Sequence, residues 1–290
     1  MTNRSRAARA LVWPAAGILV FTVAARAAAQ TKAPDPVSQA RQFYNDQRYD
    51  DAIRIAGQMR HSPALADAAS VVFARAHLER FRMTADRADL AAAREALKTI
   101  DATRLSPRDE VELEIGLGES LYLDDDYAFD DRYSAAAEEF ELALGHADLL
   151  DEASRDLLFD WWAQSLDRQA QQGPETDRHP IYQRIVDRAA VELARSSASL
   201  SATYWLAAGA RGIDDLPRAL GAAVAGWVRA GTFGARGEAL RDDLDRLIVQ
   251  VILPERAQQL AFGADPHPAL DLLQKQWADV KEKWGKADGK

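Results

Sequence analysis

The chain contains no cysteine. That absence excludes a disulfide framework, a thiolate nucleophile, an iron–sulfur cluster and Cys-ligated zinc. Basic residues are the minority among its charges, 36 Lys and Arg against 45 Asp and Glu, giving a formal net charge of −9. A nucleic-acid-binding surface, which would need clustered Lys and Arg, has no support in that balance. Eleven prolines and sixteen glycines in 290 residues are too few for a collagenous or Pro/Gly-rich disordered chain. From Val37 onward there is no convincing run of alternating β-branched residues with hairpin turns. Alanine, by contrast, makes up 57 of the 290 residues, and helical apolar spacing recurs almost everywhere. The expected fold class is all-α.

Arg4, Arg6 and Arg9 precede an apolar run from Leu11 to Ala25, and Ala27, Ala28 and Ala29 follow it. This order of basic, apolar and small residues reads as a secretory signal peptide over residues 1–29, cut between Ala29 and Gln30. The run falls short of the ~20 apolar residues of a membrane-spanning helix, and Pro14 and Gly17 interrupt it. No cysteine can accept a lipid, so the expected location is periplasmic or secreted, without a stable membrane anchor after cleavage. The leader holds four arginines and no acid, so 36 basic residues become 32 against 45 acidic ones, a mature net charge of −13. Partners are then expected to be neutral or basic and to associate in a salt-sensitive way.

After a linker at 30–36, helix pairs recur across residues 37–231. Prolines at 63, 107, 180, 217, 254 and 268 are expected in the first turns of helices, and Gly231 and Gly263 at helix ends. Ala40, Phe43 and Tyr44 precede Tyr49–Ile53; Phe73-Ala74 and His77-Leu78 precede Asp89–Ala93, Leu97 and Ile100. Leu117-Gly118 and Leu121-Tyr122 then precede Tyr133–Ala137, Phe140 and Ala143-Leu144. Trp162-Ala163 and Leu166 precede Tyr182, Ile185 and Ala189; Leu206-Ala207 and Ala210 precede Leu216, Ala219, Ala223 and Gly226. This pattern resembles the tetratricopeptide repeat (TPR), in which small residues let two antiparallel helices approach while large ones fill the gaps. The resemblance implies a right-handed solenoid of about five helix pairs. Its departures from the family pattern are extra residues between paired helices at Arg82–Arg87, Asp124–Arg132 and Gln171–His179.

Residues 232–290 read as a C-terminal helical capping segment, because repeat arrays need a closed end. Gly237–Leu253 is amphipathic, and Pro254 is expected to begin a new short helix. Leu270, Leu273, Trp277, Val280 and Trp284 form a two-heptad apolar seam on the last helix. That seam is read as a cap, with homodimerisation as the competing use.

Catalytic signatures are missing. His61, His77, His146, His179 and His267 are scattered singly, with no H-E-x-x-H pair. No nucleophile elbow, P-loop or dinucleotide fingerprint follows a strand. His77 reads as a buried structural histidine, and His179 and His267 as loop residues ahead of proline. Five carboxylates between Asp124 and Asp131 suggest a calcium loop, but no glycine lies inside and no glutamate closes it, so a solvated acidic loop is expected. Asp131 reads as the N-cap of the helix that follows. Trp161, Trp162, Trp205 and Trp227 read as interhelical packing. No metal or cofactor is expected.

The TPR resemblance implies that first helices line a concave groove. The residues on that face would be Tyr44, Asn45, Tyr122, Asp167, Arg168, Tyr204 and Arg211, and aromatic and Arg side chains carry much of the binding energy in grooves. The function expected is a non-enzymatic exported scaffold that binds a protein or peptide partner. The alternative is a small-solute-binding component working with a transporter, suggested by a likeness of Tyr204-Trp205-Leu206-Ala207-Ala208 to such periplasmic repeat proteins. An enclosed apolar cavity would favour the solute, an open groove the protein partner.

Overall fold

The computed structural model describes residues 35–124 and 131–285, and the expected leader and most of the acidic loop lie outside them. The described residues form helices and turns with no strand. The first four α-helices are α1 (Pro36–Asn45), α2 (Tyr49–Met59), α3 (Ala66–Thr84) and α4 (Arg87–Lys98). Then come α5 (Pro107–Tyr122), α6 (Arg132–Gly145), α7 (Glu152–Gln172) and α8 (Glu175–Arg195). The remainder are α9 (Leu200–Gly212), α10 (Leu216–Ala230), α11 (Gly234–Leu247), α12 (Leu253–Ala261) and α13 (His267–Trp284). No helix among the described residues is long and apolar enough to cross a membrane.

Short polar caps start many of these helices. Asp86, Ser106, Asp151, Ser199 and Asp215 each accept a backbone N–H from the first turn of the helix they precede. Each such bond satisfies one of the N–H groups that a helix start leaves unpaired, and contributes about 1 kcal/mol. Asp131 occupies the cap position of α6 as expected, but its side chain makes no capping bond.

Consecutive helices pack on one another from α1 to α11, α12 packs on α13, and the odd-numbered helices also touch one another in series, α1 on α3, α3 on α5, α5 on α7, α7 on α9 and α9 on α11. The expected pairs are therefore real elements, and their first helices share one layer. The core follows the same order. Four apolar clusters succeed one another along the chain, bridged by residues that belong to two of them: Phe73, Leu123, then Tyr204, Leu206 and Ile213. Alanines at 40, 74, 136, 163, 189, 207 and 223 are fully buried in helix crossings, where a larger side chain would hold the backbones apart. At Gly118 an added Cβ would lie 2.6 Å from the Phe140 ring, so the close approach of α5 and α6 requires glycine. One ionic tie skips a helix: Arg41 on α1 reaches past α3 to Asp109 and Glu112 on α5, the latter at 2.9 Å.

Five sequence expectations are corrected. The extra residues at Arg82–Arg87 and Gln171–His179 are mostly helix: α3 runs to Thr84 and α8 starts at Glu175, leaving two-residue turns. Pro180 lies inside α8, not in its first turn; the Thr176 carbonyl it leaves without a donor sits in an exposed stretch, open to solvent. His179 is consequently helical, whereas Pro63 sits in the turn ahead of α3. The prolines at 107, 217, 254 and 268 do occupy first or second helical positions. Yet Pro254 does not start a separate rod, because a π-helical segment over Ile248–Ile252 runs straight from α11 into α12. A wider turn re-registers the ladder at a proline that cannot donate. Gly231 ends α10, and Gly263 follows α12 with φ +87°.

At the C-terminal end, Trp277 of α13 is buried, stacks edge-on against Trp227 at 5.2 Å and donates its indole N–H to Asp245 at 2.7 Å. Leu270, Leu273 and Val280 pack on the same cluster, while Trp284 at the end of the seam stays 44% exposed.

Candidate functional site

Three odd helices present polar and aromatic stripes toward one another. On α7 the stripe is Asp160, Gln164, Asp167 and Gln171; on α9 it is Ser201, Tyr204, Ala208 and Arg211. The spacings of three and four residues place each set on one helical face. Arg236, Asp243 and Leu247 of α11 continue the lining, and Val251 adds to it from the π-helical segment. Between these stripes run two clefts of about 600 and 480 Å³. They meet at Tyr204 and Trp205, which line both. The larger cleft is bordered on one side by the first two turns of α8, through Glu175, Arg178, His179 and Tyr182.

Neutral donors hold the carboxylates of α7. Trp205 Nε1 donates to Asp160 Oδ1 at 2.7 Å and Gln164 Nε2 to Asp160 Oδ2 at 2.6 Å. The Tyr182 hydroxyl donates to Asp167 Oδ1 at 2.7 Å and Gln171 Nε2 to Asp167 Oδ2 at 2.6 Å. Burial pushes the Asp160 carboxyl above its ordinary value, against the pull of those two hydrogen bonds. Burial also raises the Tyr204 phenol, reinforced by the nearby charges of Asp243, Asp167 and Asp160. The Tyr204 and Trp205 rings stand nearly perpendicular, 87° apart with centroids at 5.3 Å.

Of the seven groove residues expected from sequence, Asp167, Tyr204 and Arg211 line the larger cleft. Arg211 is clamped there by Glu255 of α12, its Nε 3.0 Å from one carboxylate oxygen. Tyr122 and Arg168 form a second group, in which the guanidinium hydrogen-bonds the phenol. The Tyr122 ring lies edge-on to Tyr133 and Trp161, at 5.3 and 5.0 Å. Tyr44 and Asn45 belong to neither cleft. Tyr44 is structural: its hydroxyl accepts from Arg75 Nη2 at 2.8 Å, and its ring packs edge-on to Tyr49. Asn45 is exposed at the end of α1.

Beside Tyr44 lies a buried charge cluster that sequence reasoning missed. Arg75, 7% exposed, sits 3.5 Å from Glu119, which is fully buried; Glu119 Oε2 has no hydrogen-bond partner among the described residues. Burial pushes the Glu119 carboxyl up to about 7, Arg75 opposes the rise and Glu79 adds to it. The tell in sequence is a glutamate between Leu117 and Leu121, on a helix whose neighbouring turns are apolar. Asp160 carried a similar tell, lying between Phe159 and Trp161 on the same helical stripe as the expected Asp167.

The histidine and tryptophan expectations resolve one by one. His77 is buried with Nδ1 2.6 Å from Asp89, a satisfied core histidine. Burial lowers its basicity against the pull of Asp89. Trp162 donates to Glu141 at 2.7 Å from a fully buried position, and Trp161 stacks on Phe140 at 6.0 Å. Trp205 does more than pack, since it also walls both clefts. Of the acidic loop, Asp124 is buried and ion-paired with Arg94. No group of three or more His, Asp or Glu side chains among the described residues is placed to hold a metal ion. No protein-family model, curated protein or solved structure matches this chain.

Proposed function

We propose that this protein is an exported, non-enzymatic, TPR-like binding protein that captures an extended segment of a partner protein along the α7–α9–α11 strip. The observation that carries this reading is that the two clefts adjoin, sharing Tyr204 and Trp205 as lining. A strip spanning three alternate helices suits an extended chain better than a compact solute, because a solute site encloses its ligand on most sides. Here the margins are exposed, at Arg178, His179, Arg236 and Asp243. The helices that present the strip are fixed by fully buried alanine crossings, so a partner would meet a preformed surface and the ordering cost would fall mainly on the partner. The array would be a right-handed solenoid of five pairs over 37–231, with 232–290 as its cap. Acting after cleavage of the leader at 1–29, it would work in the periplasm or outside the cell.

The test is site-specific photo-crosslinking in intact cells from a benzophenone side chain at Ala208, in the larger cleft, or at Ala239, in the smaller. A probe at Met83, which is 69% exposed on α3, serves as the control. Ala208 and Ala239 should link to neighbouring peptides of one partner, and Met83 should not. Linkage to unrelated proteins, or the same adducts from all three sites, would remove the reading. A small molecule retained by the purified protein in native mass spectrometry, and lost in Ala208→Trp, would favour the solute-binding alternative.

A further inference from the structure

We infer that Asp160, Asp167 and the Tyr204–Trp205 corner form a seat for two cationic side chains, so that the captured segment carries paired lysine or arginine. This rests on the binding reading above and adds the chemistry of the partner.

Three observations converge on it. The first is that neither carboxylate has a salt-bridge partner among the described residues; Arg82 and Arg168 act on Asp160 and Asp167 only at longer range. Asp160 and Asp167 are each held by two neutral donors, which orient the carboxylates without neutralising them. Of the guanidinium groups around the clefts, Arg211 pairs with Glu255 and Arg236 with Asp156 at 3.7 Å, while Arg178 is held by the neutral Ala170 carbonyl and keeps its charge at the rim of the larger cleft. Asp243 is left out of the seat because Arg246 already pairs with it, and Glu175 and Asp214 add further negative charge at the rim of the larger cleft. No lysine lines either cleft. A half-buried carboxylate oriented by neutral donors favours an incoming ammonium or guanidinium, and the charge-assisted bond it makes is stronger than a neutral one.

The second observation is aromatic. Tyr204 and Trp205 meet edge-on at 87°, and both rings line the clefts beside the carboxylates, where π systems favour a neighbouring cation. The Tyr204 hydroxyl makes no hydrogen bond to a described residue, which leaves it free to pair with a partner's backbone. The third is spacing. Asp160 and Asp167 lie seven residues apart on α7, which at 1.5 Å per residue is about 10 Å. A polyproline II segment repeats its side-chain direction every three residues over about 9 Å. Two basic residues separated by two others would therefore meet both carboxylates from one side of an extended chain.

The inference is tested by calorimetric titration of the full mature chain with an acetylated and amidated hexapeptide, Pro-Lys-Pro-Pro-Lys-Pro, against the same peptide with both lysine amines acetylated. The dilysine peptide should bind at least about tenfold more tightly, and Asp167→Asn, which keeps an oxygen for Tyr182, should remove about that factor. Asp160→Asn should do likewise, with melting temperature monitored so that loss of fold is separated from loss of charge. Equal binding of the two peptides, or no binding of either, overturns the seat. The binding reading has its own readout: a crosslinked segment from Ala208 that lacks basic residues leaves that reading standing while the seat falls. If spermidine binds with the same dependence on Asp167 but Ala208 and Ala239 crosslink to no protein, the seat stands and the protein-partner reading falls.

Discussion

The indole N–H of Trp205 on α9 donates to Oδ1 of Asp160 on α7 across 2.7 Å, joining the ring that walls both clefts to a carboxylate that burial destabilises as an anion. Trp205→Phe keeps most of the packing and deletes the donor. It should cost about 1–3 kcal/mol, the range for leaving a buried acceptor short of a partner. Urea unfolding at neutral and mildly acidic pH checks this, and the deficit should narrow as Asp160 takes up its proton.

Glu119 and Glu192 should give opposite pH dependences. Glu119, pushed up to about 7 by burial, binds its proton more tightly in the folded chain than in the unfolded one. Its contribution is therefore full below its ordinary value of 4.5 and is lost as pH rises through about 7. Glu119→Gln should flatten the fall in stability across that window, measured as unfolding free energy against pH.

For Glu192, burial raises the carboxyl, but Arg155 at 2.9 Å through both nitrogens, with Arg195 and Arg188, overrides it and holds the group below its ordinary value. Its stabilisation is present above the unfolded value and is lost as pH falls through the folded one. Glu192→Ala should cost about 1–3 kcal/mol at neutral pH, because it strands the part-buried Arg155 guanidinium, and the cost should shrink in acid.

Gly118 and Gly212 separate stability from binding. A methyl group at either position overlaps an aromatic ring, Phe140 for Gly118 and Tyr182 for Gly212. Each substitution to alanine should cost about 1–3 kcal/mol by overpacking. Only Gly212→Ala should also weaken capture of the dilysine peptide, since Tyr182 is the donor that orients Asp167. Parallel melting and titration curves decide it; equal loss of peptide binding in both variants would contradict the assignment of Tyr182.

Much of the fold was legible because alanine and glycine at crossings, with large neighbours three and four residues away, are forced by helix geometry. Hence the residues paired from sequence around Ala40, Ala74, Gly118, Ala163 and Ala207 do fall on adjacent helices. Turn lengths were not legible. Exposed polar stretches such as 82–87 and 171–179 suit a helix as well as a loop, and only neighbouring packing decides. His179-Pro180 misled for the same reason: a proline in the second turn loses a single hydrogen bond, and exposed backbone recovers it from water. At the site, Asp167, Tyr204 and Arg211 were reachable from helical spacing alone. That Tyr44 would be absorbed by Arg75, or that Trp205 and Gln164 would share Asp160, depends on pairings between residues 31 to 45 positions apart or on which rotamer faces inward.

Arg41 ties the first helix directly to the fifth, past the third. In a chain of nearest-neighbour units the end unit ordinarily frays alone, so amide protons at the terminus exchange with solvent long before those further in. A bridge between next-nearest units couples the opening of α1 to that of α5. Hydrogen exchange should therefore find α1 opening with α3 and α5 as a single cooperative block, and Arg41→Ala should release α1 to exchange independently.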